Sequence, residues 1–240
     1  MFSQQFIEQP ATPAGVKAMG DLFSNSNPQG ELAYPLPLTE EFRPRVLADL
    51  IGLERIKRVL GNLVKAPRCC AILACGAPGT GKSVSAMAFA QELGAETHRI
   101  SSQECKLETL QNAIAMCHRV AFNFQTGKPA TWHLVIIEEC DAISSASQLY
   151  LLSKLDSTDF PPQTIFFFTC NNPETLSERF LSRCLRLDYN SYGSSAEIAS
   201  LLEKVWTLKA PNTPAPNLKK LVSGNVRESL GRLEIALLEA

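Results

Sequence analysis

Several features that define other classes of protein are missing from this sequence. None of its eight cysteines form a C-x-x-C pair, which argues against a disulfide framework and the commonest zinc motifs. No apolar run approaches the roughly 20 residues of a membrane-spanning helix, so we expect no contact with a membrane. The N-terminus lacks the charged and apolar regions of a secretion signal. We therefore expect a soluble cytoplasmic protein with reduced cysteines, and zinc binding by the cysteines is the alternative.

An excess of charge of either sign is also missing. Lys and Arg number 23 against 24 Asp and Glu, which gives a formal net charge of −1. This balance excludes a surface that coats nucleic acid broadly, although a local basic patch remains compatible with it. Hydrophobic residues make up 45% of the 240 residues, enough to fill the core of one large domain or two small ones.

The pattern along the chain divides it into three parts. Residues 1–34 are rich in Gln, Ser, Asn, Pro and Gly, and they predict a flexible leader. In residues 35–188, apolar strands alternate with helical segments, which predicts an α/β core with a mostly parallel sheet between two helical layers. Residues 189–240 show only helical spacing and predict a small helical lid domain. The predicted strands are 70–75, 134–137, 164–169 and 184–187, and the predicted helices are 47–64, 83–93, 107–124, 147–155, 196–208, 218–222 and 226–238.

The segment after the first predicted strand has the strongest functional pattern. It reads Gly-Ala-Pro-Gly-Thr-Gly-Lys-Ser and fits G-x-x-x-x-G-K-[ST] between a strand and a helix. Glycines let backbone N–H groups approach a polyphosphate, and the following helix adds positive partial charge. We predict that Lys82 reaches the β- and γ-phosphates and that the Ser83 hydroxyl binds Mg²⁺. The predicted nucleotide-binding residues are Gly76, Ala77, Pro78, Gly79, Thr80, Gly81, Lys82 and Ser83.

The second predicted strand ends in two carboxylates, Glu138 and Glu139. The carboxyl edge of a parallel sheet is where ligands bind in open α/β folds, and the glycine-rich loop leaves the sheet at the same edge. Glu138 is predicted to hold Mg²⁺ directly or through water, and Glu139 to orient or deprotonate the attacking water. A solvated acidic loop is the alternative. Together the two motifs predict a nucleoside triphosphatase.

Four further segments indicate which class of nucleoside triphosphatase this is. They are Glu-Glu-Phe-Arg-Pro at 40–44 with Asp-Leu-Ile-Gly at 49–52, Phe-Thr-Cys-Asn-Asn at 168–172, Ser-Arg-Cys at 182–184, and Gly-Asn-Val-Arg at 224–227. In these segments the sequence resembles the clamp-loader branch of the AAA+ ATPases, close to the small subunits of replication factor C and their phage counterparts. The resemblance runs over residues 38–238.

The resemblance implies roles for individual residues. Pro44, Leu50 and Ile51 would contact adenine. Asn171 would be sensor 1, which polarises water near the γ-phosphate, with Asn172 as the alternative. Arg183 would reach the ATP of a neighbouring subunit, and Arg227 would be sensor 2, which contacts the phosphates from the lid. The alternatives are an ordinary approach to a helix, a turn-capping Asn and two surface arginines.

The sequence departs from the family in two places. Glu138-Glu139-Cys140-Asp141 stands where the family usually has Asp-Glu-Ala-Asp, which leaves the geometry of Mg²⁺ binding and the turnover rate open. Clamp-loader subunits also continue into a helical collar after the sensor 2 helix, whereas this sequence ends at Ala240. The expectation is a subunit without that collar.

The expected function follows from the resemblance. It is an ATPase that couples ATP at the interfaces of a homo- or hetero-oligomer of AAA+ subunits to placing a ring-shaped partner, such as a sliding clamp, on DNA. One alternative is a phage or mobile-element AAA+ regulator that remodels a helicase, transposase or recombinase. The other is an assembly switch that binds ATP with little turnover.

Overall fold

A computed structural model describes residues 36–189 and 195–239, and a parallel sheet lies at its centre. The predicted leader at 1–34 lies outside the described residues. The described strands are β1 (Cys70–Cys75), β2 (Glu96–Ile100), β3 (Phe122–Asn123), β4 (Lys128–Pro129), β5 (His133–Ile137), β6 (Thr164–Cys170) and β7 (Leu185–Asp188). The described α-helices are α1 (Leu38–Glu41), α2 (Glu54–Lys65), α3 (Lys82–Leu93), α4 (Leu107–Met116), α5 (Ser145–Lys154), α6 (Glu178–Leu181), α7 (Ser195–Lys209) and α8 (Val226–Leu238). None of these described helices is long and apolar enough to cross a membrane.

Five strands form the main sheet in the order β2-β5-β6-β1-β7, and every pair is parallel. The chain crosses from β1 to the far edge at β2 and then returns strand by strand. Cys75 at the end of β1 is in register with Cys170 at the end of β6. The loops that follow β1, β5 and β6 therefore open at one edge of the sheet, where ligands bind in folds of this kind.

Alternate residues of the buried strands pack against the two faces of the sheet. Ile72 and Ala74 join a core with α2 and α3 on one face. Leu73 packs with residues of α4, α5 and α6 on the other face. This period of two follows from strand geometry, and strands buried on both faces read as continuous apolar runs. The three layers confirm the predicted α/β architecture.

The helices of the C-terminal part bury their apolar faces in a third core. It joins Leu202 and Trp206 of α7 to Leu230 and Leu233 of α8, and Leu38 of α1 packs into it. Because this core is separate from the two that flank the sheet, it supports the predicted helical lid. The proposed boundary at residues 188–189 stays a prediction.

The predicted helix at 47–64 is wrong in its first part. The structure has a 3-10 turn at Leu47–Asp49, and α2 begins only at Glu54. Gly52 and Leu53 both have positive φ angles, 63° and 59°, which no α-helix accommodates. The break turns the chain so that Leu50 and Leu53 enter the core of the sheet.

The predicted helix at 107–124 is wrong beyond Met116, where α4 ends. Residues 122–129 instead form the antiparallel hairpin β3–β4. The Asn123 side chain accepts hydrogen bonds from the N–H groups of Gln125 and Thr126, and Gly127 takes a φ of 66°. These turn-forming interactions at Asn123 and Gly127 determine the local structure, although the apolar residues of the segment are spaced as in an amphipathic helix.

The strand β2, which forms one edge of the main sheet, was not predicted from the sequence. Its sequence, Glu-Thr-His-Arg-Ile, is mostly polar and has no apolar alternation. The remaining main-sheet strands agree with their predicted positions to within one residue at each end. The predicted helix at 218–222 is a 3-10 turn at Leu218–Lys220.

Candidate functional site

A cavity of about 840 Å³ lies where the glycine-rich loop, the ends of β5 and β6, and the lid helices meet. It brings together predicted site residues from segments far apart in the sequence. Those that line it are Pro44, Leu50, Ile51, Pro78, Gly79, Thr80, Gly81, Lys82, Ser83, Glu139, Asn171 and Arg227. Gly76, Ala77, Glu138 and Arg183 do not line this cavity.

Lys82 is buried at the start of α3, and its ammonium group is held by three acceptors. Nζ donates to the carbonyl oxygens of Gly76 and Ala77 at 2.7 and 2.8 Å and to Oδ1 of Asn171 at 2.9 Å. Burial lowers the pKa of Lys82, and the Asp141 carboxylate partly opposes this effect. The lysine side chain is therefore held by the backbone of the loop. Lys82 also lies at the N-terminus of α3, and helix N-termini are sites where anions bind.

The backbone of the loop adopts conformations that glycine allows. Gly79 and Gly81 have φ angles of 80° and 90°. Between them, Thr80 is 6% exposed, and its Oγ1 is buried without a hydrogen-bond partner among the described residues. An unpartnered buried hydroxyl is costly, and a bound phosphate would satisfy it. The loop therefore fits the polyphosphate of a nucleotide.

Asn171 and Asn172 follow β6 but make different contacts. Asn171 Oδ1 accepts from Lys82, whereas Asn172 Oδ1 accepts from the Glu174 N–H and caps a 3-10 turn. Both backbone N–H groups donate to the Asp141 carboxylate, at 3.2 and 3.1 Å. Of the two asparagines, only Asn171 points its side chain to the phosphate-binding loop.

The two carboxylates after β5 point to different partners. Glu139 has a φ of 51°, its N–H donates to Thr169 Oγ1 at 3.0 Å, and its exposed side chain borders the large cavity. Glu138 is an ion-pair partner of Arg99 on β2, whose Nη2 and Nε lie 2.8 and 2.9 Å from Oε2. The left-handed backbone at Glu139 separates the two side chains.

A second cavity of about 360 Å³ adjoins this acidic pair. It is lined by Ser83, Glu138 and Glu139 together with Ser101, Ser102 and Gln103. Hydroxyl and carboxylate oxygens are the ligands that Mg²⁺ prefers. Ser83 and Glu138, the two predicted metal ligands, thus share a cavity whose donor set fits this cation.

The predicted adenine-contacting residues form an apolar part of the larger cavity. Leu50 is 4% exposed and belongs to the core of the sheet, whereas Ile51 packs against the core of the lid. Pro44 is half-buried. A flat heterocycle needs an apolar surface of this kind, and the polar loop lies at the other side of the same cavity.

The lid approaches the glycine-rich loop at Asn225. This residue caps α8 by accepting from the Glu228 N–H at 2.7 Å. A Cβ added at Gly79, whose φ is 80°, would lie 3.2 Å from Asn225 Oδ1, so the Asn225 side chain would have to move slightly to admit it. Arg227, the predicted sensor 2, is exposed in the first turn of α8 and lines the cavity.

Arg183 lies outside the cavity, on the surface after α6. Its Nη2 pairs with Asp156 at 3.3 Å, and its Nη1 donates to the carbonyl oxygen of Arg179 at 3.0 Å. The hydrogen bond from Arg183 lowers the pKa of Asp156. Arg183 therefore makes no contact with the site of its own chain.

Three contacts of the site were not predicted from the sequence: Arg99, Thr169 and Asn225. Thr169 belongs to the sensor 1 segment at 168–172 and Asn225 to the sensor 2 segment at 224–227, so both stand in motifs whose expected functional residue is a different one. Arg99 lies in the strand that the apolar pattern did not indicate. No sequence signal pointed to its pairing with Glu138.

Residues 72–192, about half of the chain, match the family described as "ATPase family associated with various cellular activities (AAA)". Replication factor C subunit 4 of Oryza sativa subsp. japonica is 26% identical over 89% of this chain, which covers 65% of that protein. The human subunit 4 is 25% identical over 89% of this chain, which covers 61% of it. The replication factor C small subunit of Methanocella arvoryzae is 32% identical over 61% of this chain, which covers 45% of it. The chain thus spans 45 to 65% of the length of these relatives.

The fold is similar to that of the Thermotoga maritima RuvB Holliday junction branch migration motor. The TM-score is 0.64 at 19% identity, and the match covers 83% of this chain and 68% of that chain. At this level of identity, the similarity concerns the fold alone. It agrees with the parallel sheet and the helices that follow it.

Proposed function

Because this chain belongs to the ATPase family associated with various cellular activities, we propose that it binds ATP in the 840 Å³ cavity and hydrolyses it at an interface with a second AAA+ subunit. The observation that carries this proposal is the convergence of Lys82, Asn171 and Glu139 on one cavity. The family binds ATP, typically with Mg²⁺. Hydrolysis, the interface and the roles below are our proposals.

The residues of the cavity have complementary roles in this proposal. Lys82 releases its carbonyl acceptors to bind the β- and γ-phosphates, while Thr80 and the N–H groups of the loop surround the phosphate oxygens. Pro44, Leu50 and Ile51 accommodate the adenine ring. Ser83 and Glu138 would hold Mg²⁺, which when bound neutralises charge on the phosphates.

Hydrolysis requires a water that is oriented toward the γ-phosphate. Glu139 has an exposed carboxylate at the cavity and is the proposed base, and the Asn171 amide positions the water. Arg227 contacts the phosphates from the lid and thereby couples nucleotide state to lid position. The three side chains that have these proposed roles, Glu139, Asn171 and Arg227, all line the cavity.

Arg183 supplies the part of the site that one chain lacks. An arginine that neutralises charge on the transferred phosphoryl group accelerates hydrolysis by several orders of magnitude in other nucleoside triphosphatases. In this chain Arg183 is exposed and has no contact with the cavity. We propose that it completes the site of a neighbouring subunit.

The similarity to replication factor C subunits supports a clamp-loader-like task for the oligomer. In this proposal, ATP binding assembles subunits that place a ring-shaped partner, such as a sliding clamp, on DNA, and hydrolysis releases them. Remodelling of a helicase, transposase or recombinase by the same ATPase is the alternative task.

A specific observation favours a second candidate function, an ATP-dependent assembly switch with little turnover. Glu138 is paired with Arg99 and does not line the cavity of the phosphate-binding loop. If that pair persists with bound nucleotide, Glu138 is not available to Mg²⁺. Nucleotide binding would then drive assembly without efficient hydrolysis.

Steady-state ATP hydrolysis against protein concentration tests the proposal, with primed DNA, with a sliding clamp and with a replicative helicase added in separate series. A rate per chain that rises with concentration and with clamp plus DNA supports the clamp-loader-like task. Stimulation by the helicase alone supports the remodelling alternative. A flat, negligible rate in a protein that binds ATP and oligomerises contradicts the ATPase proposal and supports the switch.

A further inference from the structure

A cluster of metal-ligating side chains lies at the opposite edge of the sheet from the nucleotide cavity. Glu96 and His133 are the first residues of β2 and β5, and they are in register with each other. His98 follows two residues after Glu96 and so lies on the same face of β2. Cys117, the residue after α4, belongs to the core on the α4 face of the sheet.

The donor atoms of His98, Cys117 and His133 lie close together, and the Glu96 carboxylate lies beside the two imidazoles. One ring nitrogen of His98, one of His133 and Sγ of Cys117 all lie within 4.8 Å of one another. His98 Nε2 and His133 Nδ1 are 3.1 Å apart, and the Glu96 carboxylate lies 3.7 Å from His133 Nδ1 and 4.0 Å from His98 Nε2. Donor atoms of tetrahedral zinc, with bonds of about 2.0–2.3 Å, are separated by about 3.3–3.8 Å.

The burial and charge of the cluster point to a cation. Glu96 is 6% exposed and His133 is 2% exposed. In the ranges 36–189 and 195–239, no Lys or Arg side chain lies within ion-pair distance of Glu96. The basic groups within that distance are the imidazoles of His98 and His133. Buried carboxylates are paired with cations or coordinate metals. A divalent cation would balance one carboxylate and one thiolate between two neutral imidazoles.

Backbone groups already orient two of the proposed ligands. The Arg119 carbonyl oxygen lies 3.0 Å from His133 Nε2, so this nitrogen donates and leaves the Nδ1 lone pair for the cluster. The Phe122 N–H donates to Glu96 Oε2 at 2.7 Å, which leaves Oε1 without that bond. Metal-binding histidines and carboxylates are typically held by outer contacts of this kind.

We propose that His98, Cys117, His133 and Glu96 form a structural Zn²⁺ site. A set of two imidazoles, one thiolate and one carboxylate suits zinc, because soft and borderline donors select it over Mg²⁺ or Ca²⁺. The four ligands come from β2, β5 and the end of α4. The ion therefore fixes the edge strand to the sheet and anchors the segment that leads into the β3–β4 hairpin.

The test is the metal content and the cobalt spectrum of the full chain, purified without a polyhistidine tag. We expect about one zinc per chain, and Co²⁺ added after chelation should give tetrahedral absorption bands with a thiolate charge-transfer band. Cys117→Ser should abolish the charge-transfer band, and His98→Gln should weaken zinc binding by more than the roughly 10- to 100-fold that loss of an outer contact costs. The matched controls, Cys69→Ser and His118→Asn, replace an exposed cysteine and an exposed histidine outside the cluster.

ATP binding of each variant reports whether the chain is folded, since the nucleotide cavity lies at the other edge of the sheet. Stoichiometric zinc that is lost in both cluster variants and kept in both controls supports the proposal. A full chain that binds ATP but neither contains zinc nor gives a thiolate–cobalt band overturns it. The same holds if the band survives in Cys117→Ser.

Discussion

Asn171 joins the sheet to the phosphate-binding loop through a single amide. Its Oδ1 accepts from Lys82, and its backbone N–H donates to Asp141. Lys82 keeps two carbonyl acceptors when the amide is removed, so we expect the loop to keep its conformation. The amide oxygen and its NH₂ group are thus available to a water molecule once the lysine turns to phosphate.

We predict that Asn171→Ala lowers kcat for ATP hydrolysis by roughly a hundredfold, while the Kd for ATP changes by less than about threefold. In the proposal, the lost amide positions water in the transition state and is not the main phosphate ligand. The matched control is Asn172→Ala, which removes a turn cap worth about 1 kcal/mol of stability and leaves kcat unchanged. Single-turnover hydrolysis and equilibrium nucleotide binding measure the two quantities. Equal kcat losses in both variants would rule out the role of Asn171.

Arg99 forms an ion pair with Glu138, the proposed metal ligand, and in the proposal it competes with the metal ion for this carboxylate. The guanidinium of Arg99 is more than half exposed, so solvent screens the ion pair. We therefore expect the pair to contribute at most about 1 kcal/mol to stability. We predict that Arg99→Ala lowers the Mg²⁺ concentration needed for half-maximal hydrolysis by about two- to fivefold, because Glu138 loses a competing cation. The control is Arg58→Ala on the exposed face of α2, which should not change this concentration.

Magnesium titrations at saturating total ATP give this value for both variants. A higher Mg²⁺ requirement in Arg99→Ala would mean that Arg99 positions Glu138 for the cation instead of competing with it. No change would mean that Glu138 does not bind the cation at all.

At the scale of elements, the glycine-rich loop and the lid meet at one close contact. Gly79 and Gly94 both have positive φ angles, 80° and 64°, but a Cβ at Gly94 meets open space, whereas one at Gly79 meets Asn225. Alanine substitutions at these two positions therefore distinguish the effect of backbone strain from the effect of contact with the lid.

We predict that Gly94→Ala lowers the free energy of unfolding by about 1 kcal/mol and leaves ATP affinity unchanged, since it adds only the strain of a left-handed alanine. Gly79→Ala should carry the same strain and also displace Asn225, which weakens ATP binding by at least about tenfold. Denaturant unfolding and nucleotide titration measure the two effects. Matching ATP affinities in the two variants would show that the lid contact does not matter for binding.

The elements that the sequence predicted correctly are those whose apolar pattern is unambiguous. β1, β5 and β6 are buried on both faces and read as apolar runs, and the glycine-rich loop follows directly from its motif. The strand β2 could not be predicted this way, because its polar residues have partners on or after β5. Glu96 and His98 lie beside His133, and Arg99 pairs with Glu138. The hairpin after α4 was hidden because its apolar residues are spaced like those of a helix.

The same limit applies to the candidate site. The glycine-rich motif predicted Pro78 to Ser83 at the cavity, since its spacing is fixed by the phosphates that it would bind, and the family resemblance predicted Pro44, Leu50, Ile51, Asn171 and Arg227 there. The pairing of Arg99 with Glu138 and the contact of Asn225 with Gly79 arise from tertiary packing, which no local pattern records. The backbone geometry after β6 likewise determines that Asn171 faces the loop and that Asn172 caps a turn, and the sequence alone does not reveal this.

At the scale of the whole molecule, the proposal assigns both halves of a shared site to one chain. The cavity contains Lys82 and Glu139, while Arg183 lies on the surface and pairs with Asp156 of its own chain. A polypeptide with both halves can occupy every position in a ring or spiral, since each copy completes the site of the next. We therefore infer that hydrolysis occurs between chains.

Mixing two inactive variants tests that claim most directly. Lys82→Ala removes the phosphate-binding lysine but keeps Arg183, and Arg183→Ala keeps an intact cavity but lacks the arginine. Each variant alone should hydrolyse ATP at least about a hundredfold more slowly than the unmodified chain, although Arg183→Ala still binds ATP. In an equimolar mixture that co-assembles, hydrolysis should return to a substantial fraction of the unmodified rate. Full activity of Arg183→Ala alone, or no recovery in the co-assembled mixture, would contradict a site shared between chains.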